Sequence, residues 1–223
     1  MTFPLSTPIF VVIEGLDGAG TTTQTGAVAD ALASRGQPVS VSREPSDGPV
    51  GMVIRQMLSM RITVTDDEGR HKPVGRQTLA LLFAADRMDH LEAEVEPALE
   101  RGEVAISDRY YHSSLAYQGD VDGRDSADFQ WVESLNSRAR TPDLTVFLEA
   151  TADLCLQRLD SRGRKDIYET RDKLERLERR YDEVMKLLEE RGEKILRLDA
   201  SLPAEKLTEE VVEAVRTLSE SGQ

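Results

Sequence analysis

Ile9-Phe10-Val11-Val12-Ile13-Glu14-Gly15-Leu16-Asp17-Gly18-Ala19-Gly20-Thr21-Thr22-Thr23 begins as five apolar residues and ends in a glycine-rich turn. The apolar run has the length of a buried strand. Residues 22–35 carry helical patterning and stop at Gly36, the residue type that most often closes a helix. Strand, turn and helix in that order place the turn where main-chain N–H groups and the positive end of a helix converge. Gly15 and Gly20 stand at the spacing G-x-x-x-x-G, the pattern of a loop that cradles phosphate oxygens. That pattern continues with Lys and then Ser or Thr. Here Thr21 occupies the lysine position, and Thr22 keeps the hydroxyl on the Mg²⁺ side.

Outward from this turn, β-rich runs alternate with longer helical stretches. Strands are expected at residues 38–42, 103–107, 143–148 and 194–198, which with residues 9–13 makes five. Helices are expected at residues 79–100, with Pro97 as a kink, and at 172–191 and 204–218. In 172–191, Leu174, Leu177, Tyr181, Val184 and Leu188 recur at steps of three and four. Repeated strand–helix–strand order implies a parallel sheet covered by helices on both faces, with ligands beyond the carboxyl ends of the strands. The expected architecture is α/β, a P-loop NTPase-like three-layer fold on a parallel five-stranded sheet, in one domain spanning residues 1–223. Residues 61–76 and 161–170 read as polar loops, and loops of that length often act as lids.

Composition narrows the function. The 223 residues carry 41 Asp and Glu against 28 Lys and Arg, a formal charge of −13. Proteins that grip duplex DNA through many phosphates are usually basic, so neither nucleic acid nor an anionic membrane is an expected partner. The basic residues are 22 Arg and only 6 Lys, and the Arg fork suits phosphate. Cys155 is the one cysteine, which leaves no intrachain disulfide and suits a reducing compartment. His71, His90 and His112 are scattered and form no zinc pattern. The apolar stretch at residues 9–13 is too short to span a bilayer, and no secretory signal is read at the start.

Further short motifs follow the strands in order. Arg43-Glu44-Pro45 comes after the second strand, and Leu82-Phe83-Ala84-Ala85-Asp86-Arg87 lies in the long helix. Asp108-Arg109-Tyr110 follows the third strand, then Ser113-Ser114-Leu115-Ala116-Tyr117-Gln118-Gly119, and Pro142-Asp143-Leu144 opens the fourth. Together with Glu14 to Gly20, this ordered set closely resembles thymidylate kinases over nearly the whole chain.

The resemblance implies a cytoplasmic homodimer that moves the γ-phosphoryl group of ATP to dTMP with Mg²⁺. Residue by residue, it implies ATP phosphates on Gly15, Gly18, Ala19, Gly20, Thr21, Thr22 and Thr23, and Mg²⁺ near Thr22 and Asp108. Asp17 resembles the carboxylate beside the dTMP sugar and the transferred phosphate. Arg43 resembles the holder of the acceptor phosphate, and Arg109 the Arg between the two phosphate groups. Phe83 corresponds to the ring that stacks on thymine and Arg87 to the Arg that addresses the base. Ser114, Tyr117, Gln118 and Tyr168 match positions around dTMP. Arg162 and Arg164 resemble the catalytic arginines of a bacterial-type lid, here residues 161–170. With Lys165, they are the expected replacement for the missing lysine.

Overall fold

The computed structural model describes residue 5 and residues 7–119, 127–161 and 171–221. Strand β1 (Ile9–Gly15) leads into α1 (Thr21–Ala33), β2 (Val39–Arg43) and α2 (Pro49–Leu58). A small antiparallel hairpin follows, β3 (Val64–Thr65) with β4 (His71–Lys72). Next come α3 (Arg76–His90), a π-turn (Leu91–Val95), α4 (Glu96–Glu100), β5 (Val104–Asp108), α5 (Tyr111–Tyr117) and α6 (Ala127–Leu135). The chain ends with β6 (Leu144–Glu149), α7 (Ala152–Ser161), α8 (Arg171–Glu190), β7 (Ile195–Asp199) and α9 (Ala204–Ser221). No helix among the described residues is long and apolar enough to cross a membrane.

Five strands pair in parallel in the order β2-β5-β1-β6-β7, so the strand that feeds the glycine turn is central. Every residue of β1 is buried, as expected for a central strand covered on both faces. Its side chains alternate between the two cores. Ile9, Val11 and Ile13 pack with Val28 and Leu32 of α1 and Val211 and Val215 of α9. Phe10 and Val12 pack with Ala80 of α3, Leu91 and Val95 of the π-turn, and Leu115 of α5. The three-layer α/β expectation holds, and all five expected strands are present; four match to within a residue at their ends, and β1 runs two residues further, to Gly15.

Three local readings are corrected. The helix expected at 79–100 starts at Arg76, and its irregularity at Pro97 takes the form of a widened turn just before the proline. Proline has no N–H to give Ala93, and its ring would crowd that carbonyl, so the preceding turn relaxes to i→i−5 bonding, with Glu96 N–H on Leu91 O. Residues 61–76 hold the β3–β4 hairpin, closed by Asp66, whose carboxylate accepts from the N–H groups of Glu68 and Arg70. Ser161, assigned to a loop, closes α7; the rest of 161–170 lies outside the described residues.

Parallel strands deliver β1, β2 and β5 to one edge, and the turn after β5 is held from the side of the sheet remote from β2. Tyr111 donates to Glu193 Oε1 at 2.6 Å, and His112 Nε2 lies 3.2 Å from Glu193 Oε2. Burial pushes the Glu193 carboxyl up, but His112 and Tyr111 more than offset this and leave it below the ordinary value of 4.5. A carboxyl lowered in the folded state stabilises fully above its unfolded value and loses that contribution as pH falls through the folded one. Glu193→Gln should therefore cost about 1–3 kcal/mol near neutral pH, and the gap to wild type should close as pH drops below about 4.5. Urea melts across that range check it; a gap independent of pH would remove the charge from the explanation.

Candidate active site

The glycine turn takes up a conformation that its sequence permits. Gly18 and Gly20 have φ of +92° and +108°, a region that costs other residues strain. Gly20 caps α1 from the left-handed region, so the first N–H groups of α1 open at the carboxyl edge of β1. Packing enforces Gly18 as well: a Cβ there would stand 2.9 Å from the carbonyl oxygen of Cys155 in α7. Cys155 is fully buried, as its sequence neighbours suggest.

On α1, Thr21 is buried while Thr22 and Thr23 are exposed. Thr22 Oγ1 donates to Asp108 Oδ2 at 2.5 Å, joining the start of α1 to the end of β5. Asp108 Oδ1 is buried and has no hydrogen-bond partner among the described residues.

Arg109 follows in an unusual backbone state, φ +74°. Its N–H is tied to Ile13 O at 3.0 Å, and its guanidinium turns back over the glycine turn. Nη1 donates to Gly15 O at 2.9 Å, Tyr181 Oη at 3.0 Å and Ser113 Oγ at 3.1 Å, while Nη2 pairs with Asp17. The other Asp17 oxygen accepts from Tyr117 Oη at 3.0 Å, and the guanidinium lies 5.8 Å from the centre of that ring. Burial opposes the charge of Arg109, but Asp17, Tyr181, Tyr117 and Glu14 outweigh it and hold the proton more firmly than in free Arg. Burial, with Glu14 adding to it, pushes the Tyr181 phenol well up, so it remains a donor.

A second cluster lies toward β2 and α3. Arg87 is 1% exposed. Its Nη1 donates to Asn136, and its Nη2 to Glu44 at 2.5 Å and Ser114 Oγ at 3.1 Å. His90 Nδ1 sits 3.2 Å from the other Glu44 oxygen. The guanidinium lies 5.2 Å from the Tyr110 ring centre. Three polar atoms in and beside this cluster, Arg87 Nε, His90 Nε2 and Gln118 Oε1, are buried without a partner among the described residues. Phe83 is half-buried one helical turn before Arg87, on the same face of α3. Arg43 reaches into solvent from the end of β2 and pairs with Asp47 at 2.6 Å.

The structure thus brings Gly15, Asp17, Gly18, Ala19, Gly20, Thr22, Asp108, Arg109 and Tyr117 around one edge. Phe83, Arg87 and Ser114 gather beside it, and Arg43 stands at the margin. Arg162, Arg164 and Tyr168 lie outside the described residues. A sequence model of the family described as thymidylate kinase matches residues 13–211. The chain belongs to the thymidylate kinase family.

Among relatives, the thymidylate kinase of Clavibacter sepedonicus is 35% identical over 217 residues, which cover 97% of this chain and 98% of the relative. A Thermococcus kodakarensis protein named "Probable thymidylate kinase" is 34% identical over 210 residues, 94% of this chain and 98% of its own. Within this thymidylate kinase family chain, the sequence reading missed several residues that organise the site. Glu14 is fully buried and accepts from Tyr110 N–H, Ser113 N–H, Ser113 Oγ and Tyr181 Oη. Its signal was a lone carboxylate ending an apolar strand. Tyr181 was legible only as part of the apolar stripe of α8, Glu44 stood in the Arg43-Glu44-Pro45 motif without a role of its own, and His90 and Asn136 carried no spacing signal.

The fit of Gly18 against Cys155 generates a test. Gly18→Ala places a Cβ against backbone at positive φ and should destabilise by about 1–3 kcal/mol, whereas Gly36→Ala, with open space around it, should bear only the conformational strain. Thermal melts of both variants check this; equal effects would show that the Cys155 contact is slack.

Proposed function

We propose that the chain is a dTMP kinase that moves the γ-phosphoryl group of ATP to dTMP, giving dTDP. The observation that carries this reading is the convergence of Asp17, Thr22, Asp108 and Arg109 on the open start of α1, in a chain of this family. Phosphoryl transfer asks a protein chiefly to position two anions and stabilise spread negative charge. In this reading the turn at residues 15–22 holds the ATP phosphates on main-chain N–H groups, with Thr21 in the lysine position. Arg109, held between Gly15 O and Asp17, presents its charge between donor and acceptor. Asp17 exchanges part of its pairing with Arg109 for contacts to dTMP. Arg43 leaves its exposed pair with Asp47 to hold the acceptor phosphate.

Phe83 stacks on the thymine, and Arg87, Ser114, Tyr117 and Gln118 contact base and sugar. Arg87 Nε and Gln118 Oε1, without a partner among the described residues, are a donor and an acceptor suited to a pyrimidine edge. Mg²⁺, when bound, neutralises charge on the phosphates. Thr22 and Asp108 suit it: Asp108 Oδ1 is buried and unpartnered, and Mg²⁺ needs few protein ligands. Arg162 and Arg164, with Tyr168, serve as a bacterial-type lid over residues 161–170. The enzyme works in the cytoplasm as a single kinase-like unit per chain.

A coupled ADP-release assay with Mg²⁺ across dTMP, dUMP, dCMP, dGMP and thymidine tests the reading, with dTMP expected to be the preferred acceptor. Arg109→Ala should lower kcat by roughly a hundredfold or more, while Arg101→Ala, an exposed partner of Glu103 away from the site, should not. ADP release that does not depend on dTMP, or equal effects of the two variants, would defeat it.

The homodimer belongs to the same proposal. Val41 on β2, Met52 and Leu58 on α2, and Leu81 and Met88 on α3 are each 45–54% exposed. Exposed apolar patches of this kind mark interfaces. Leu81 and Met88 are seven residues apart, so they share one face of α3. The double variant Leu81→Glu, Met88→Glu should run as a monomer in light scattering where the wild type runs as a dimer. A dimer that survives both changes would move the interface elsewhere.

A further inference from the structure

Opposite the open side of the glycine turn, α7 presents Cys155 and, three residues on, Arg158. The Arg158 side chain crosses the back of the turn. Nη1 donates to Ala19 O at 2.8 Å and lies 3.5 Å from Gly18 O, and Nη2 donates to Ala200 O at 2.7 Å. Ala200 follows β7, so one guanidinium joins α7, the turn and the loop after the last strand. Arg158 forms no ion pair among the described residues; the partners of its guanidinium there are main-chain carbonyls. A Cβ on Gly20 would lie 3.9 Å from Nη1, so that charge sits beside the residue preceding Thr21.

We infer that Arg158 is a positioning residue for the donor nucleotide, holding the phosphate-binding turn from behind in a chain whose turn has threonine at the lysine position. This rests on the dTMP kinase reading for the identity of the donor. The reasoning begins with the peptide unit. In a trans peptide, C=O and N–H point in opposite directions. Drawing the Ala19 carbonyl toward α7 therefore turns the Gly20 N–H away from α7, toward the side on which α1 opens. Without Arg158 the Ala19–Gly20 peptide can rotate, because glycine imposes little on its own φ. A flipped peptide would present a carbonyl oxygen to phosphate, which repels it. A lysine within the turn would attract phosphate directly; with Thr21 there, the orientation of main-chain N–H groups carries more of the binding.

The geometry also predicts which substrate is affected. Among the described residues, the Arg158 side chain hydrogen-bonds the turn and the loop after β7, whereas Phe83, Arg87 and Glu44 lie on the β2 and α3 side. Disturbing Arg158 should weaken ATP and spare dTMP. The fork matters as well as the charge: a planar guanidinium reaches Ala19 O and Ala200 O together, and a single ammonium group does so poorly.

The experiment measures Kd for ATP by titration calorimetry without dTMP, KM for both substrates, and Tm, in wild type, Arg158→Ala, Arg158→Gln and Arg158→Lys. Arg158→Gln stands in if the alanine variant does not fold. The expected result is a roughly ten- to hundredfold weaker Kd and higher KM for ATP in Ala or Gln, KM for dTMP within about twofold of wild type, and partial recovery in Lys. Unchanged ATP affinity would overturn the proposal. So would equal loss for both substrates alongside a lowered Tm, which would mark a merely structural role. Full recovery in Lys would overturn the bridging argument, because a point charge would then suffice. ATP binding is read without dTMP, so a wild type that fails to phosphorylate dTMP would defeat the assigned reaction while leaving the Arg158 result legible.

Discussion

The carboxylate of Glu14 is fully buried at the end of the central strand, and the arrangement around it follows from the need to satisfy that group. A buried carboxylate without partners costs several kcal/mol, which marginal stability cannot absorb. Tyr110 and Ser113 supply main-chain N–H groups at 2.8 and 3.1 Å, Ser113 adds its hydroxyl at 2.8 Å, and Tyr181 its phenol at 3.2 Å. These donors come from the turn after β5 and from α8, so a single group clamps three elements. The residue caught between β5 and that clamp is Arg109. Its positive φ is the backbone solution that lets Tyr110 reach Glu14 while the Arg109 side chain folds back over Gly15 and Asp17.

The two halves of the site are built from different materials. Near the glycine turn, function-bearing atoms are mostly main-chain groups whose direction is set by carbonyl partners. Near α3 they are side chains locked by one another: Arg87 by Glu44, Ser114 and Asn136, and Glu44 in turn by His90. An overall formal charge of −13 is compatible with both, because Arg43, Arg87, Arg109 and Arg158 stand at or beside this edge despite the acidic excess.

Much of this was legible in the sequence, for identifiable reasons. The inner strands β1, β5 and β6 declared themselves because a parallel sheet covered on both faces demands apolar runs, while the edge strands β2 and β7 showed only as short β-rich runs between helices. The turn declared itself because its φ values demand glycine at Gly18 and Gly20. The Thr22–Asp108 contact follows from adjacent parallel strand ends. What stayed hidden depends on partners far apart in sequence. Glu14 meets Tyr181 across most of the chain, and α7 reaches the turn through Arg158, neither of which any local spacing reports. Pro97 marked where the helix is irregular, but the pattern shows where a helix cannot be regular, not which side of the proline yields. The β3–β4 hairpin escaped because its strands have two residues each and its hold is the Asp66 turn.

The central placement of β1 bears on how the chain is made. β1 precedes both of its neighbours in the chain by a long stretch: one begins at Val104 and the other at Leu144. Until both exist, Ile9 to Ile13 is an unpaired apolar strand of the kind that associates with other chains. The turn behind it cannot set, because Cys155, Arg158 and Ala200 are still to come. The conformation of the glycine turn is therefore a property of the finished chain, and a truncated product would carry the exposed strand without a set turn after it.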